Sequence, residues 1–288
     1  MQTKISIIIV TYNSYDLILD CINSIFRYND LDENEIEIIV VDNSSDFESE
    51  RLKNLLFTEF KNKVKFIKNE NKGYGHGNNV GAKISKGEII AVMNPDIRLS
   101  EPVFKRTLEI FEDHQTASLG FKQIDGNRNF SFYRLPELFF PLSSSIKTRN
   151  ENNTDKFNPN IHYLSGAFVF FRKKDFEEIG MYDENFYMYF EEADITRRIN
   201  RINKKSVYDC SKSYIHLMEQ KDDFNERLLG IGTESIKIYF DKYDLNVKKY
   251  IKLRLAELRI HQILFSILGN RGGKARAKAY IKSLRKLL

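Results

Sequence analysis

Strand-like and helix-like segments alternate through the first hundred residues, and this alternation limits the fold more than any other feature of the sequence. Four short segments rich in β-branched residues predict buried strands, at 5–10, 36–41, 64–67 and 88–93. Between them lie helical patterns at 15–28 and 47–60, and a glycine-rich turn at 73–77 followed by a short helix that ends at Gly87. Such alternation predicts an α/β fold with a parallel sheet.

Polar residues follow each of the four predicted strands. These clusters are Thr11-Tyr12-Asn13, Asp42-Asn43, Asn69-Glu70-Asn71 and Asn94-Pro95-Asp96. In open α/β sheets, ligands bind beyond the carboxyl ends of the strands. We therefore expect the four clusters to converge on one cleft.

Each cluster taken singly also has a plain structural interpretation. Asp42 suits a helix N-cap as well as it suits binding of a ribose or a base imide. Asp96 follows Asn-Pro and fits an ordinary turn, although a carboxylate there could also hold Mg²⁺ or Mn²⁺ beside a diphosphate. The loop from Lys72 to Asn79 has three glycines, which allow a phosphate to approach the backbone, yet a glycine-rich turn is more often structural.

An acidic cluster, Glu191, Glu192 and Asp194, follows the aromatic segment 186–190. Crowded carboxylates beside an apolar wall should have at least one raised pKa, which suits a general base that deprotonates a sugar hydroxyl. The alternative is an acidic first helical turn that is stabilised by the helix dipole and by arginines one turn later. His216, taken alone, is more typical of a satisfied polar residue than of a metal ligand.

The C-terminal segment is predicted to be helical from residue 224 to 288, with a break near 269–273. The polar segment 140–162 predicts a surface loop. Residues 247–288 contain twelve Lys or Arg and one Glu, and since the whole chain carries only +5, the remainder is net negative. We therefore divide the chain into a main domain at 1–243 and a basic amphipathic helical tail at 244–288.

The basic tail predicts contact with an anionic membrane surface. The alternative is that the apolar face of the tail packs on the main domain or forms a homo-oligomer. We favour this alternative for 247–268, and we favour peripheral membrane contact for 274–288. A nucleic-acid-binding protein could also use such a tail, but the rest of the chain is acidic and has no recognised binding motif, so we expect no nucleic acid partner.

Two cysteines and the N-terminus bear on the compartment. Cys21 and Cys210 are far apart, and the helical pattern around Cys21 predicts a buried, reduced thiol. The first residues lack the pattern of a secretory leader, and no apolar stretch approaches the roughly 18 residues typical of a membrane span. These features predict a cytoplasmic protein, with the inner face of the cell membrane as the surface for the tail.

Taken in order, the motifs resemble the family 2 glycosyltransferases with the GT-A fold, in particular a rhamnosyltransferase-like branch. The similarity covers roughly residues 4–243. The matching segments are 10–13, 41–43, 71–75, 78–81, 94–96, 165–167, 182–186 and 191–194. The resemblance implies a Rossmann-like, mostly parallel twisted sheet flanked by helices, with a C-terminal helical extension.

The resemblance also implies roles for individual residues. Donor binding would involve Thr11, Tyr12, Asn13, Asp42, Asn43, Lys72, Gly73, Asn78, Asn94 and Asp96. Asp96 matches the last acid of the family's DxD motif, whose first position here is Asn94, and Asp96 with His216 would hold Mg²⁺ or Mn²⁺. Gly166 and Ala167 would face the acceptor. Glu192 matches the catalytic base, with Glu191 and Asp194 as its acidic neighbours in the catalytic set.

The function that the resemblance implies is inverting sugar transfer from a nucleoside-diphosphate donor, dTDP-rhamnose or a UDP-hexose. The acceptor would be a hydroxyl of a bacterial glycan or lipid-linked glycan, in the synthesis of capsule, O-antigen or another cell-surface polysaccharide. The alternatives are a catalytically inactive scaffold and a nucleic-acid-binding protein. A sugar nucleotidyltransferase would carry its glycine-rich loop near the first strand, where this chain has Thr-Tyr-Asn-Ser.

Overall fold

The computed structural model describes residues 2–124, 130–217 and 226–288. Its first third consists of strands of a twisted sheet and the helices that flank them. Its elements are β1 Ile5–Thr11, α1 Tyr15–Arg27, β2 Ile36–Asp42, α2 Asp46–Phe60, β3 Val64–Lys68, α3 Tyr74–Ile84 and β4 Ile89–Met93. All four predicted strands are present within one residue of their expected bounds. The β-branched segments form these strands because branched side chains pack well on a pleated surface that is buried on both faces.

The remaining elements complete the sheet and add a helical layer. They are β5 Ile97–Leu99, α4 Phe104–Phe111, β6 Thr116–Ile124, β7 Phe132–Arg134, α5 Ser143–Asn153, β8 His162–Leu164, β9 Phe168–Arg172, α6 Lys173–Glu178, α7 Glu191–Arg201, β10 Lys205–His216, α8 Glu226–Lys242, α9 Val247–Ile267 and α10 Arg271–Arg285. Strands β7 and β8 form a separate two-stranded ribbon.

The main sheet has eight strands among the described residues, in the order β3-β2-β1-β4-β9-β6-β10-β5. The first four are parallel to one another, and β6 is parallel to β10; β9 and β5 run antiparallel to their neighbours. Alternate residues of β1 face opposite sides, so that Ile7 packs with α1, α2 and α4 while Ile8 packs with α3, α6 and α7. The predicted sheet is confirmed.

The structure overturns two local predictions. Residues 143–153, expected to lie in a loop, form α5, because tertiary contacts outweigh a weak helical preference: the buried Asn152 bonds the backbone of Phe132 through both its amide oxygen and its amide nitrogen. Residues 74–77, expected in a turn, form the first turn of α3. Glycine is required there by close packing, since a Cβ at Gly77 would lie 2.9 Å from the Val10 side chain.

The tail folds back on the preceding part of the chain. Helices α8, α9 and α10 confirm the helical prediction from residue 226 onward, while residues 224 and 225 lie outside the described residues. One apolar cluster joins the tail to Leu135, Phe186 and Ala193 of the preceding domain. The apolar side chains of α9 and α10 in this cluster are Ile251, Leu255, Leu258, Ala277, Ile281 and Leu284. The packing expected for the first tail helix is therefore observed.

Two smaller expectations concern the thiol and the membrane. Cys21 is fully buried, as predicted, and burial raises its pKa to about 12. Within 2–124, 130–217 and 226–288, no helix combines the length and the apolar character that crossing a bilayer requires.

Candidate active site

Asp42 is held at the carboxyl end of β2, where β1 and β2 end side by side. Its Oδ1 accepts hydrogen bonds from Thr11 Oγ1 at 2.8 Å and from Ser44 Oγ at 2.7 Å, and its side chain is fully buried. Its Oδ2 is also buried but accepts no hydrogen bond from any described group. Buried oxygens are rarely left unsatisfied, so this atom suits a ligand hydroxyl or imide N–H.

The loop after β1 is fixed by the same polar cluster. Asn13 has a left-handed backbone with φ of 53°, which asparagine tolerates better than most residues, and its N–H donates to Ser44 Oγ at 2.8 Å. Tyr12 beside it is 55% exposed. The structure thus brings Thr11, Asn13 and Asp42 together and leaves the Tyr12 ring accessible to a ligand.

The glycine-rich segment packs against the loop that leads to the acidic cluster. Gly73 has φ of +114°, and a Cβ there would lie 2.5 Å from the backbone oxygen of Tyr187. The Asn43 amide bonds Gly73 O at 3.5 Å and so joins this segment to the end of β2. Lys72 is exposed and forms an ion pair with Glu70 at 2.8 Å. The structure therefore gives Gly73 and Asn43 positioning contacts within the protein.

Two further asparagines line this region of the structure. Asn78 is buried; its Nδ2 donates to Tyr74 O at 3.0 Å, and its Oδ1 accepts from no described donor. Asn94 Oδ1 accepts from the Tyr74 hydroxyl at 3.1 Å. The same hydroxyl lies 2.9 Å from Gly166 O, so Tyr74 connects the end of β4 to the segment before β9. Sequence reasoning missed Tyr74, whose position within the glycine-rich motif was the available signal.

Asp96 and His216 meet because β5 pairs with the end of β10, where His216 lies opposite Ile97. The distance between His216 Nε2 and Asp96 Oδ2 is 3.3 Å. Asp96 Oδ1 and His216 Nδ1 are buried and have no hydrogen-bond partner among the described residues. A carboxylate and an imidazole with unused lone pairs fit a divalent cation. No group of three or more such ligands occurs within the described ranges, so a diphosphate and water would complete the coordination.

Helix α7 starts from a strained turn. Tyr189 and Phe190 have φ of 73° and 72°, a left-handed conformation that costs non-glycine residues about 1–3 kcal/mol each. The helix begins where the Asp194 N–H bonds Phe190 O at 2.9 Å. This turn directs Glu191 and Glu192 into a cavity of about 690 Å³, which Asn94 and His216 also line. Strain of this kind concentrates at functional sites, where the surrounding packing maintains it.

The two glutamates differ in how strongly they hold a proton. Burial raises the pKa of Glu192 to about 7. The pKa of Glu191 lies well above its usual value because of burial and because of the neighbouring Glu192 charge. Glu191 therefore holds its proton more strongly than a free carboxyl does, and Glu192 is the carboxyl whose pKa lies near neutral pH.

Gly166 packs directly against the Glu192 side chain, with Ala167 beside it in the cavity lining. A Cβ at Gly166 would lie 2.2 Å from Glu192 Oε1, so only glycine permits this position of the carboxylate. The structure thus brings the residues expected at the acceptor next to the expected base.

Asp194 is not brought to the cavity. It is fully buried, and Arg198, Lys242 and Tyr243 bind its carboxylate at 2.6 Å each. The contact with Arg198 one turn later is the structural alternative that the sequence left open. A carboxylate held by three partners away from the cleft supports α7 and has no route to a substrate proton.

A family comparison agrees with this geometry. The model for "Glycosyl transferase family 2" matches residues 6–180. The chain belongs to glycosyl transferase family 2. The match extends over β2, which carries Asp42, over the turn between β4 and β5, which carries Asp96, and over the segment that contains Gly166.

Curated relatives share part of their length with this chain. The low-salt glycan biosynthesis hexosyltransferase Agl10 of Haloferax volcanii is 27% identical over 214 residues, which are 70% of this chain and 64% of that protein. The poly(ribitol-phosphate) beta-N-acetylglucosaminyltransferase TarS of Staphylococcus aureus is 26% identical over 41% of this chain and 21% of its own length. The chain therefore spans less than two thirds of each of these relatives.

Solved structures share the fold. The mannosyltransferase PcManGT from Pyrobaculum calidifontis, in complex with GDP-Man and Mn²⁺, has a TM-score of 0.62 at 14% identity, over 99% of this chain and 76% of its own. Staphylococcus aureus TarS has a TM-score of 0.54 at 20% identity, over 90% of this chain and 43% of its own. The GT-A fold expected from the motifs is confirmed.

Proposed function

We propose that the protein is an inverting glycosyltransferase that moves a sugar from a nucleoside-diphosphate donor to a hydroxyl of a cell-surface glycan. The observation that carries the proposal is Glu192, a carboxyl with a pKa of about 7 in a cavity that His216 and Asn94 also line. A base is most effective when its pKa is close to the working pH. Agl10 and TarS, whose names describe low-salt glycan biosynthesis and sugar transfer to poly(ribitol-phosphate), support the same class of acceptor.

In the proposed reaction, Thr11, Tyr12, Asn13 and Asp42 bind the nucleoside, and the segment around Lys72 and Asn78 lies along the ribose and diphosphate. Asp96 and His216 would hold Mg²⁺ or Mn²⁺, which neutralises charge on the leaving diphosphate. Their buried, unpartnered Oδ1 and Nδ1 atoms support this assignment.

Glu192 removes the proton from the acceptor hydroxyl. The hydroxyl oxygen forms a bond to the anomeric carbon from the face opposite the diphosphate, whose bond to that carbon breaks with its electron pair. One displacement inverts the anomeric centre, and the proton stays on Glu192. Burial and the neighbouring Glu192 charge raise the pKa of Glu191 beside it.

The finer assignments belong to the same proposal. The donor is dTDP-rhamnose or a UDP-hexose, consistent with a rhamnosyltransferase-like branch, and the acceptor belongs to capsule, O-antigen or a related polysaccharide. Residues 1–243 are the catalytic domain, and the basic tail at 244–288 contacts the inner face of the membrane or a second copy of the chain.

A thermal-shift screen of nucleoside diphosphates with Mn²⁺ tests the donor. A ligand at a hundredfold excess over its Kd stabilises the native state by about 2.7 kcal/mol. The nucleotide that stabilises the protein then defines the sugar donors for turnover assays, with the product's anomeric configuration read by NMR. Glu192→Gln should bind nucleotide and lose turnover. Near-normal turnover of that variant would remove Glu192 as base, and binding without turnover in the unaltered protein would indicate an inactive scaffold.

A further inference from the structure

A second groove, of about 400 Å³, continues from the active-site cavity. Tyr133, Tyr163 and Phe190 line both spaces, so the two are contiguous. The Tyr133 and Tyr163 rings stack with centroids 5.6 Å apart at the junction. Aromatic faces of this kind are typical walls of small-molecule sites. The groove therefore lies next to the cavity that contains Glu192.

The groove lining includes Arg134, Arg149 and Arg254 and no acidic residue. Arg134 pairs with Glu151 and Arg254 with Glu257, both from outside the lining, so Arg149 supplies the uncompensated positive charge. Arg149 is exposed on α5 and forms no ion pair within the described part of the chain. Arg254 lies with its guanidinium 4.7 Å from the centre of the Phe139 ring, and its Nε is buried without an acceptor among the described residues. Two arginines thus have hydrogen-bonding capacity that the described residues leave unused.

The arginines are placed by a fixed contact between α5 and the tail. Glu257, 1% exposed, accepts from the Leu142 N–H at 3.0 Å through Oε1 and pairs with Arg254 through Oε2. This arrangement keeps the N-terminal end of α5, with Ser144 and Ser145, against α9 beside the groove.

We propose that this groove binds a phosphate group of the acceptor, beyond the hydroxyl that reacts at Glu192. The inference rests on the proposed glycosyl transfer and specifies its acceptor: a glycan that carries a phosphate ester near the reacting sugar. Arginine forks match phosphate oxygens two at a time. A phosphodiester within a polymer and the diphosphate of a lipid carrier share this chemistry.

Binding measured by calorimetry tests the proposal independently of turnover. The probes are glycerophosphoglycerol for a polymer phosphodiester, farnesyl diphosphate for a lipid diphosphate, and glucuronate as a sugar carboxylate. At least one phosphate probe should bind. The probe that binds more tightly shows whether the acceptor phosphate is a polymer phosphodiester or the diphosphate of a lipid carrier. Arg149→Gln, which breaks no contact of the described fold, should weaken that binding about tenfold, the lower end for a hydrogen bond to a charged group.

Arg259→Gln is the matched control, because Arg259 is an exposed arginine on α9 outside the groove lining. Its affinity for the probes should equal that of the unaltered protein. Arg254→Lys is a second groove variant that keeps the charge opposite Glu257 and should also weaken phosphate binding. The proposal would be overturned if Arg149→Gln and Arg254→Lys bound the phosphate probes as tightly as the Arg259→Gln control. It would also be overturned if glucuronate bound as tightly as the phosphate probes.

The two proposals fail in different ways. If a nucleoside diphosphate stabilises the protein and turnover requires Glu192 while neither phosphate probe binds, the groove assignment is wrong and the transferase remains. If Arg149 governs probe binding while no nucleotide binds, the groove is a phosphate site and the proposed transfer is wrong.

Discussion

Replacement of Gly166 by alanine tests whether the position of Glu192 matters for the reaction. The added Cβ would lie 2.2 Å from Glu192 Oε1, 2.9 Å from its Cγ and 3.0 Å from its Cδ, whereas ordinary contact begins at 3.4 Å. The carboxylate oxygen must therefore retreat by about 1 Å, a displacement that can reduce the rate of an enzyme about a hundredfold. This reduction corresponds to about 2.7 kcal/mol in the activation free energy.

The fold should tolerate the change, because the clashing atoms belong to a side chain that can rotate and Gly166 does not have a left-handed backbone. We expect kcat for sugar transfer to fall about a hundredfold with a nucleotide Kd close to that of the unaltered protein. A rise confined to the acceptor KM would instead mean that the methyl group blocks acceptor binding.

Gly232→Ala is the control within the same cavity. Its Cβ would approach Tyr189 Cδ2 at 3.4 Å, an ordinary contact, and turnover should be unchanged. If folded Gly166→Ala kept kcat within about threefold of the unaltered protein, the 1 Å argument for Glu192 as the base would be refuted.

Three other outcomes are expected. The rate of transfer should rise with pH through about 7 and then level off, because only the deprotonated Glu192 accepts a proton, and a pH-independent rate from 5 to 9 would contradict this. Asp194→Asn should lower the free energy of unfolding in urea by about 3 kcal/mol, since it leaves Arg198 and Lys242 without their buried carboxylate; a loss below about 0.5 kcal/mol would contradict the supporting role. Chelation with EDTA should abolish transfer, and Asp96→Asn should raise the Mn²⁺ concentration for half-maximal rate about tenfold or more. Full activity in EDTA would contradict the metal assignment.

The sequence determined the sheet and one edge of the site. Runs such as Ile5–Val10 and Ile36–Val41 are too apolar and too β-branched to be anything but buried strands, and parallel strands place their carboxyl ends together. Asp42 could therefore be placed in the cleft from its position alone. The fixed order of the motifs also predicted the family, and the match over residues 6–180 confirms it.

Only the tertiary structure decided which acids face the cavity. Glu192 and Asp194 lie in the same acidic turn, yet one lines the cavity and the other is bound by Arg198, Lys242 and Tyr243. Periodicity separates the faces of a helix but does not say which face meets the cleft. Lys242, the last residue of α8, and Tyr243, which follows it, lie far along the chain.

The pairing of Asp96 with His216 and the packing of Gly166 against Glu192 also required the structure. Asp96 meets His216 because β5 pairs with β10, although many residues separate these strands in the chain. Gly166 meets Glu192 because the segment before β9 packs against the start of α7. Local patterns report local geometry, because they arise from backbone sterics and from the burial of one face. Contacts between distant segments depend on how the whole set of apolar surfaces is buried together, and a single sequence does not specify that arrangement residue by residue.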